Sequence, residues 1–288
     1  MGARFAGRNA VVTGASRGIG AALAERLAAE GASVALVART VAVHDHLPGS
    51  LDETLARCRR HGARAEAIAA DLADAESRSA IVPRALELFD GRIDILVNNA
   101  AAAIYQPVLA FPLKRRRITF EVNVHAPADL MQAAIPGMAS RGEGWIVNVS
   151  SASARYELGR PKELRSPPPF IGVYGASKSA LNRMSVAFAA ELRGSGVRVN
   201  TIEPRAAVMS EGAEALIGGT ISEDLIESME AMVEGTLVLC DCPPDWTGGV
   251  HVSLDLLDAL GRTVRTLDGS RPYPGGQRPL QAATGRAQ

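Results

Sequence analysis

The chain has 288 residues, 47% of them hydrophobic, with Lys+Arg and Asp+Glu equal at 31 each. That is enough apolar material for one large core or two small ones, and a formal charge of zero supplies no long-range field to gather nucleic acid or an anionic membrane. Three cysteines (Cys58, Cys240, Cys242) are too few for a disulfide framework, and Cys240-Asp241-Cys242 has no second Cys/His pair to complete a zinc site, so no metal is expected.

The N-terminus "MGARFAGRNAVVTG" runs into an apolar strand with no separate targeting region, and Ala6 stands where a myristoylation signal needs Ser or Thr. No apolar run nears the ~20 residues of a membrane span. The expectation is a soluble, cytoplasmic protein acting on a small molecule.

In chain order, the apolar runs at 9–13, 33–38, 63–70, 94–98, 145–150 and 197–202 have strand character. Between them, 18–30, 50–61, 74–89, 115–140 and 174–194 have helical period, as Ile19, Leu23 and Leu27 show in the first. This alternation predicts an α/β fold with a doubly wound, mostly parallel sheet covered by helices on both faces. Beyond 203 the pattern weakens. Residues 210–234 look helical, 249–253 offers one more strand, and the Gly/Pro/Arg-rich 269–288 is expected to be partly disordered or to dock on a neighbouring subunit.

The first strand ends in "VTGASRGIG", where Gly14, Gly18 and Gly20 open the first helix. Glycines there permit a tight turn and close approach of the backbone to a pyrophosphate, favoured by the helix N-terminus. The second strand ends in Ala38-Arg39. An acidic residue at its end would hold the ribose hydroxyls of NAD; Arg39 suits the 2′-phosphate of NADP, with Arg17 as a second cation, unless both are merely solvated. "HDH" at 44–46 lacks partners for a metal, and "KRRR" at 114–117 suits a solvated helix start or an interface contact better than nucleic acid.

"VYGASKSA" (173–180) sets Tyr174 and Lys178 four residues apart on one helical face. The lysine charge would lower the phenol pKa and fit the tyrosine for proton transfer to a carbonyl or from an alcohol.

"TGASRGIG", "NNA" (98–100), Asn123, "NVSS" (148–151) and "YGASK" together resemble the classical short-chain dehydrogenases/reductases over about residues 5–205. The resemblance implies a single Rossmann-type domain, spanning 1–268 here, a nicotinamide cofactor and often a homotetramer, or a homodimer; the Ala38-Arg39 end of the second strand makes NADP(H) preferred, with NAD(H) possible. It implies catalytic roles for Asn123, Ser151 (Ser150 in reserve), Tyr174 and Lys178. It places cofactor contacts at Gly14, Ser16, Arg17, Gly18, Ile19, Gly20, Arg39, Asp71, Leu72, Asn99, Tyr174, Lys178 and Pro204. Asp71 would hold the adenine amino group, or else cap the helix that follows.

Three departures stand out: Ala101 where the family has glycine, Arg205 where it has the glycine after proline, and an altered ending at "DWTGGVHVSLDLL". Arg205 would lie beside the nicotinamide, and Ser210 would replace the family's downstream threonine. Ser151 and Tyr174 are 23 positions apart, about ten more than is usual in the family, so 152–173 is expected to form a rim or lid at the substrate entrance. The leading function is an NADP(H)-dependent alcohol dehydrogenase or carbonyl reductase. The alternative is a cofactor-binding regulatory or interaction protein with little turnover.

Overall fold

The computed structural model describes residues 3–42, 48–155, 170–219 and 221–280. The strands are β1 (Asn9–Thr13), β2 (Ser33–Ala38), β3 (Ala65–Ala69), β4 (Ile95–Asn98), β5 (Gly144–Val149), β6 (Val197–Glu203), β7 (Ala207–Val208), β8 (Ile226–Glu227) and β9 (Val250–Val252). The helices are α1 (Gly18–Ala29), α2 (Leu51–Arg60), α3 (Ala75–Ser79), α4 (Ile81–Leu88), α5 (Leu113–Phe120), α6 (Ala126–Ser140), α7 (Gly172–Glu191), α8 (Glu211–Ile217), α9 (Met229–Leu239) and α10 (Ser253–Ala259).

Seven strands form one parallel sheet in the order β3-β2-β1-β4-β5-β6-β9. Successive strand residues point to opposite faces, and both faces are apolar. Ala10, Val12, Leu36 and Ile95 pack under α1, α2 and α9, whereas Val11, Val37, Leu96 and Ile146 pack under α4 and α6. The chain therefore winds doubly, as its sequence pattern predicts. The order reverses between β1 and β4, and at such a switch point the loops leaving the strand C-termini part into a crevice. Ala101 strains nothing here, because among the described non-glycine residues only Asp90 and Phe170 have positive φ.

Several predicted helices are subdivided. The 74–89 segment breaks at Ala80 into α3 and α4, and Pro83 lacks the N–H that would continue the ladder to Ser79. The 115–140 segment is interrupted by a π-helical turn, Glu121–His125, which carries Asn123. Pro127 has no N–H to give the Asn123 carbonyl four residues back, a local cause for the irregular turn. The 210–234 segment is not one helix: α8 stops before Gly218-Gly219, β8 pairs with β7 in a separate two-stranded sheet, and α9 follows.

Residues 269–280 pack against the rest of the chain instead of forming a loose tail. Tyr273 packs against the buried Ala231, Leu254, Leu257 and Val264, and the Ser228 N–H donates to the Gln277 carbonyl at 2.9 Å. Residues 281–288, "HDH" (44–46) and 156–169, most of the expected rim, lie outside the described residues. "KRRR" is exposed on α5. Among the described residues no helix is long and apolar enough to cross a membrane, and no group of three His, Cys, Asp or Glu side chains is arranged to hold a metal.

Candidate active site

A cleft of about 810 Å³ opens at the C-terminal ends of the central strands. Its floor begins at the turn after β1. Gly14 and Gly18 have φ of +67° and +55°, values that disfavour a side chain. At Gly20 the constraint is close approach: a Cβ would lie 2.3 Å from the Gly14 carbonyl oxygen and 2.4 Å from Asn99 Nδ2. Asn99 Nδ2 donates to the Thr13 carbonyl at 2.9 Å, so the residue expected beneath the cofactor also braces the glycine turn. Ser16, Ile19, Leu72 and Pro204 line the cleft with them.

At the adenosine end the two predicted arginines differ. Arg39 lines the cleft with its side chain 73% exposed, and its nearest carboxylate, Asp71, is 3.9 Å away. Arg17 also lines the cleft, but its guanidinium is spent on backbone: Nε donates to the Pro48 carbonyl at 2.8 Å and Nη2 to that of Gly49 at 3.0 Å. Arg17 is therefore a brace for the neighbouring loop in this structure and not a second free cation. Asp71 is not the cap of α3. Asp74 fills that role, accepting from the N–H groups of Glu76 and Ser77, while Asp71 accepts from Ala73 and stays at the cleft wall.

The catalytic candidates converge from β5, the π-helical turn and α7. Tyr174 and Lys178 are buried on the same face of α7. Lys178 Nζ donates to the Val149 carbonyl at 2.8 Å and lies 5.9 Å from the Tyr174 ring centre. Ser151 hydrogen-bonds the Tyr174 side chain, and its hydroxyl accepts from Ser153 Oγ at 2.9 Å. Ser150, held in reserve by the sequence, has a buried hydroxyl with no partner, so Ser151 is the serine joined to the tyrosine.

Asn123 is fully buried beneath this group and does not line the cleft. Its side chain accepts from the Ala102 N–H at 2.7 Å, and donates to the Ala102 carbonyl at 3.2 Å and to Ser177 Oγ at 2.9 Å. It thereby ties the loop after β4 to α7.

The electrostatics reverse one expectation. Burial pushes the Tyr174 phenol above its ordinary value, an effect that neighbouring Tyr105 reinforces and the Ser151 hydrogen bond only partly offsets. Burial also lowers the Lys178 amine to about 8. Neither partner is surrounded by compensating charge, so desolvation outweighs the anticipated effect of the lysine on the phenol. The tyrosine is therefore a protonated acid near neutral pH.

Tyr105 went unnoticed in the sequence. It lines the cleft, and its ring meets that of Tyr174 edge to face, with centres 5.5 Å apart. A lone tyrosine in "AAAIYQP" carries no local signal of this role. Arg155 was also missed as a structural element. Its Nε donates to buried Glu203 at 2.6 Å, and Nη1 and Nη2 donate to the carbonyls of Arg205 and Pro204, each at 2.9 Å. Ser210, the expected substitute for threonine, caps α8 through a 3.3 Å bond from the Ala213 N–H. At the described end of the 152–173 stretch, Ile171 lines the cleft, whereas Phe170 is exposed and does not line it.

The model for short chain dehydrogenases matches residues 8–215, the span that contains the glycine turn and every catalytic candidate. The chain belongs to the short chain dehydrogenase family. A short chain dehydrogenase structure from Mycobacterium thermoresistibile is 29% identical, covers 96% of this chain and 100% of its own, and superposes with a TM-score of 0.78. A metagenomic short-chain oxidoreductase in complex with NADP is 28% identical, with TM-score 0.70, covering 86% of this chain and 97% of its own.

Bovine L-xylulose reductase (Bos taurus) is 34% identical over 216 residues, covering 75% of this chain and 78% of that protein. Bovine hydroxysteroid dehydrogenase-like protein 2 is 28% identical over 258 residues, covering 90% of this chain. The chain spans only 59% of that relative's length. Short chain dehydrogenases are oxidoreductases, and this chain carries their fold and brings Ser151, Tyr174 and Lys178 together at the cleft.

Proposed function

We propose that this short chain dehydrogenase interconverts an alcohol and a ketone or aldehyde with NADP(H), using Tyr174 as the general acid/base. The observation that carries the reading is the pairing of buried Tyr174 and Lys178 with half-buried Ser151 on a cleft whose glycine turn would be blocked by a single Cβ. The donor set suits a dinucleotide: the α1 N-terminus and glycine backbone for pyrophosphate, Arg39 for a 2′-phosphate, and Lys178 for ribose. When bound, the nicotinamide supplies or accepts the hydride.

The residues of this chain do the rest. Ser151 orients the substrate oxygen. Tyr174 Oη gives that oxygen its proton in reduction and takes it back in oxidation. Tyr105 and Ile171 exclude water beside it. Asn123 fixes the loop at Ala102 against α7, which holds Tyr174 in place. Arg205, expected beside the nicotinamide, directs its guanidinium to Asp255 and Asp258, which leaves the reacting centre open. The assembly is proposed to be a homotetramer or homodimer in the cytoplasm.

The test is absorbance of NADPH during incubation with a panel of aldehydes and ketones. Carbonyl-dependent oxidation of NADPH is expected; tight NADPH binding without turnover across the panel would instead establish the regulator.

A further inference from the structure

Five cations line the cleft among the described residues: Arg17, Arg39, Arg155, Lys178 and Arg205. The first two belong to the adenosine end and Lys178 to the catalytic group. Arg155 and Arg205 stand where a substrate would enter, beside Ala206, Ala207 and Val208. Both are engaged elsewhere, and the manner of engagement differs. Arg155 is locked onto a nearly inaccessible carboxylate, Glu203, and onto two backbone carbonyls. Arg205 is held from outside the cleft. Its Nε and Nη2 donate to Asp255 Oδ1 at 3.0 and 2.5 Å, and Nη2 also reaches Asp258 Oδ2 at 3.2 Å.

The backbone of Arg205 has no freedom to choose its direction. Its N–H donates to Glu227 Oε2 at 3.0 Å, its carbonyl accepts from Arg155, and Ser253 in turn fixes Glu227 through a 2.6 Å bond. What remains free is the side chain, and both acids lie on α10. Asp258 is itself oriented by the C-terminal stretch, since Gln277 Nε2 donates to its other oxygen at 2.5 Å. The same stretch fastens the segment before α9: the Ser228 hydroxyl donates to the Gly276 carbonyl at 3.1 Å, and Arg278 donates to the Asp224 carbonyl beside the cleft-lining Leu225.

We infer that Asp255 and Asp258 are specificity-determining residues: they hold the Arg205 cation out of the substrate end, so that the enzyme selects neutral carbonyl compounds over carboxylate-bearing ones. With both nearby arginines neutralised, a substrate carboxylate entering past Tyr105, Ile171 and Leu225 would lose its water without gaining a partner. Arg205 is half-exposed, and each exposed pair holds it only modestly. The device is therefore adjustable by mutation. It acts on the site and reaction proposed above and rests on that reading.

The experiment pairs 4-formylbenzoate with its methyl ester, one carrying a carboxylate and the other not. For each, kcat/KM with NADPH is measured, and calorimetry follows binding to the NADP⁺-loaded protein. Asp255→Asn with Asp258→Asn is expected to raise the preference for the charged aldehyde about threefold to tenfold, the scale of one or two exposed ion pairs. Adding Arg205→Met should remove that gain. An unchanged preference in the double variant, or a gain that survives Arg205→Met, overturns the inference.

If the double variant does not fold, Arg205→Met alone decides. A sequestered cation predicts a preference within about twofold of wild type, whereas a fall of about fivefold or more means that Arg205 already faces the substrate. Absence of turnover on both aldehydes would count against the oxidoreductase reading, while the binding ratio would still report on the charge.

Discussion

Among the cations buried in the described residues, Arg26 and Lys178 are held in opposite ways. Arg26 on α1 is fully buried, yet it meets Glu30 at 2.6 Å and the equally buried Glu234 of α9 at 2.8 Å, and Arg262 reaches the other oxygen of Glu234 at 2.9 Å. Lys178 is 2% exposed with one carbonyl and an aromatic ring for company. Burying a charge is costly unless it is paired, so the two sites have opposite meanings. The Arg26 network joins the first helix to α9 and to the Thr266 carbonyl of the C-terminal stretch, as a structural tie would. The Lys178 site leaves donor capacity unspent at the floor of a cleft, where a ligand could use it.

The largest effect should come from the residue beside Lys178. Tyr174→Phe removes one hydroxyl and little volume, so the fold and NADPH affinity should persist while turnover falls by roughly 10²–10⁴, the usual scale for losing a positioned acid/base group. Stopped-flow and steady-state rates on the best carbonyl substrate would settle it. Activity within a few-fold of wild type would remove Tyr174 from the proton-transfer role.

The comparison itself can be broken by neutralising one member of each site. Glu234→Gln leaves Arg26 buried with a weaker partner and should cost about 3–5 kcal/mol in urea unfolding, with cofactor affinity preserved if the protein folds. Lys178→Met should not destabilise the cofactor-free chain at neutral pH, although it should weaken NADPH binding and rate. The folded-state amine titrates at about 8 against an ordinary 10.5, so its protonation is penalised on folding by something on the order of 3 kcal/mol. That penalty is complete below about pH 8 and fades as pH rises toward 10.5. Wild type should therefore gain stability relative to Lys178→Met between pH 8 and 9.5, below the range where Tyr174 begins to ionise. A constant difference across that window, or a large loss of stability in Lys178→Met at pH 7, would show that the lysine is structurally paired.

What could be foreseen of this contrast follows from distance along the chain. The glycine turn, the strands and the Tyr174/Lys178 spacing are local patterns, and the structure reproduces them because local period and turn chemistry decide them. The breaks at Ala80 and at the π-helical turn were also locally encoded, in Pro83 and Pro127, but they were masked by the apolar period around them. The direction of Arg205 was not legible, since its partners are 50 and 53 positions away on α10. Nor was the raised phenol pKa, which depends on how completely the fold buries Tyr174 and on Tyr105 arriving from another loop. The glycine lost to Arg205 looked like damage to the nicotinamide end only while its side chain had no known destination.

Arg39 completes the series as a cation that is neither buried nor firmly paired, and the smallest of these effects belongs to it. Its side chain is 73% exposed, and Asp71 at 3.9 Å is too distant for a good hydrogen bond. An exposed cation gains little from such a carboxylate, so stability should be indifferent to Arg39→Ala, within about 0.5 kcal/mol. A 2′-phosphate offers what Asp71 does not: two negative charges and oxygens placed for a forked, charge-assisted contact. With Arg17 committed to the Pro48 and Gly49 carbonyls, Arg39 carries this discrimination alone unless Arg17 is released on binding. Arg39→Ala should then weaken NADPH about tenfold, near 1.4 kcal/mol, while NADH changes less than about twofold. Fluorescence titration of both cofactors checks it. Equal losses for the two would transfer the role to adenine stacking, and a wild-type preference for NADH would end the NADP assignment.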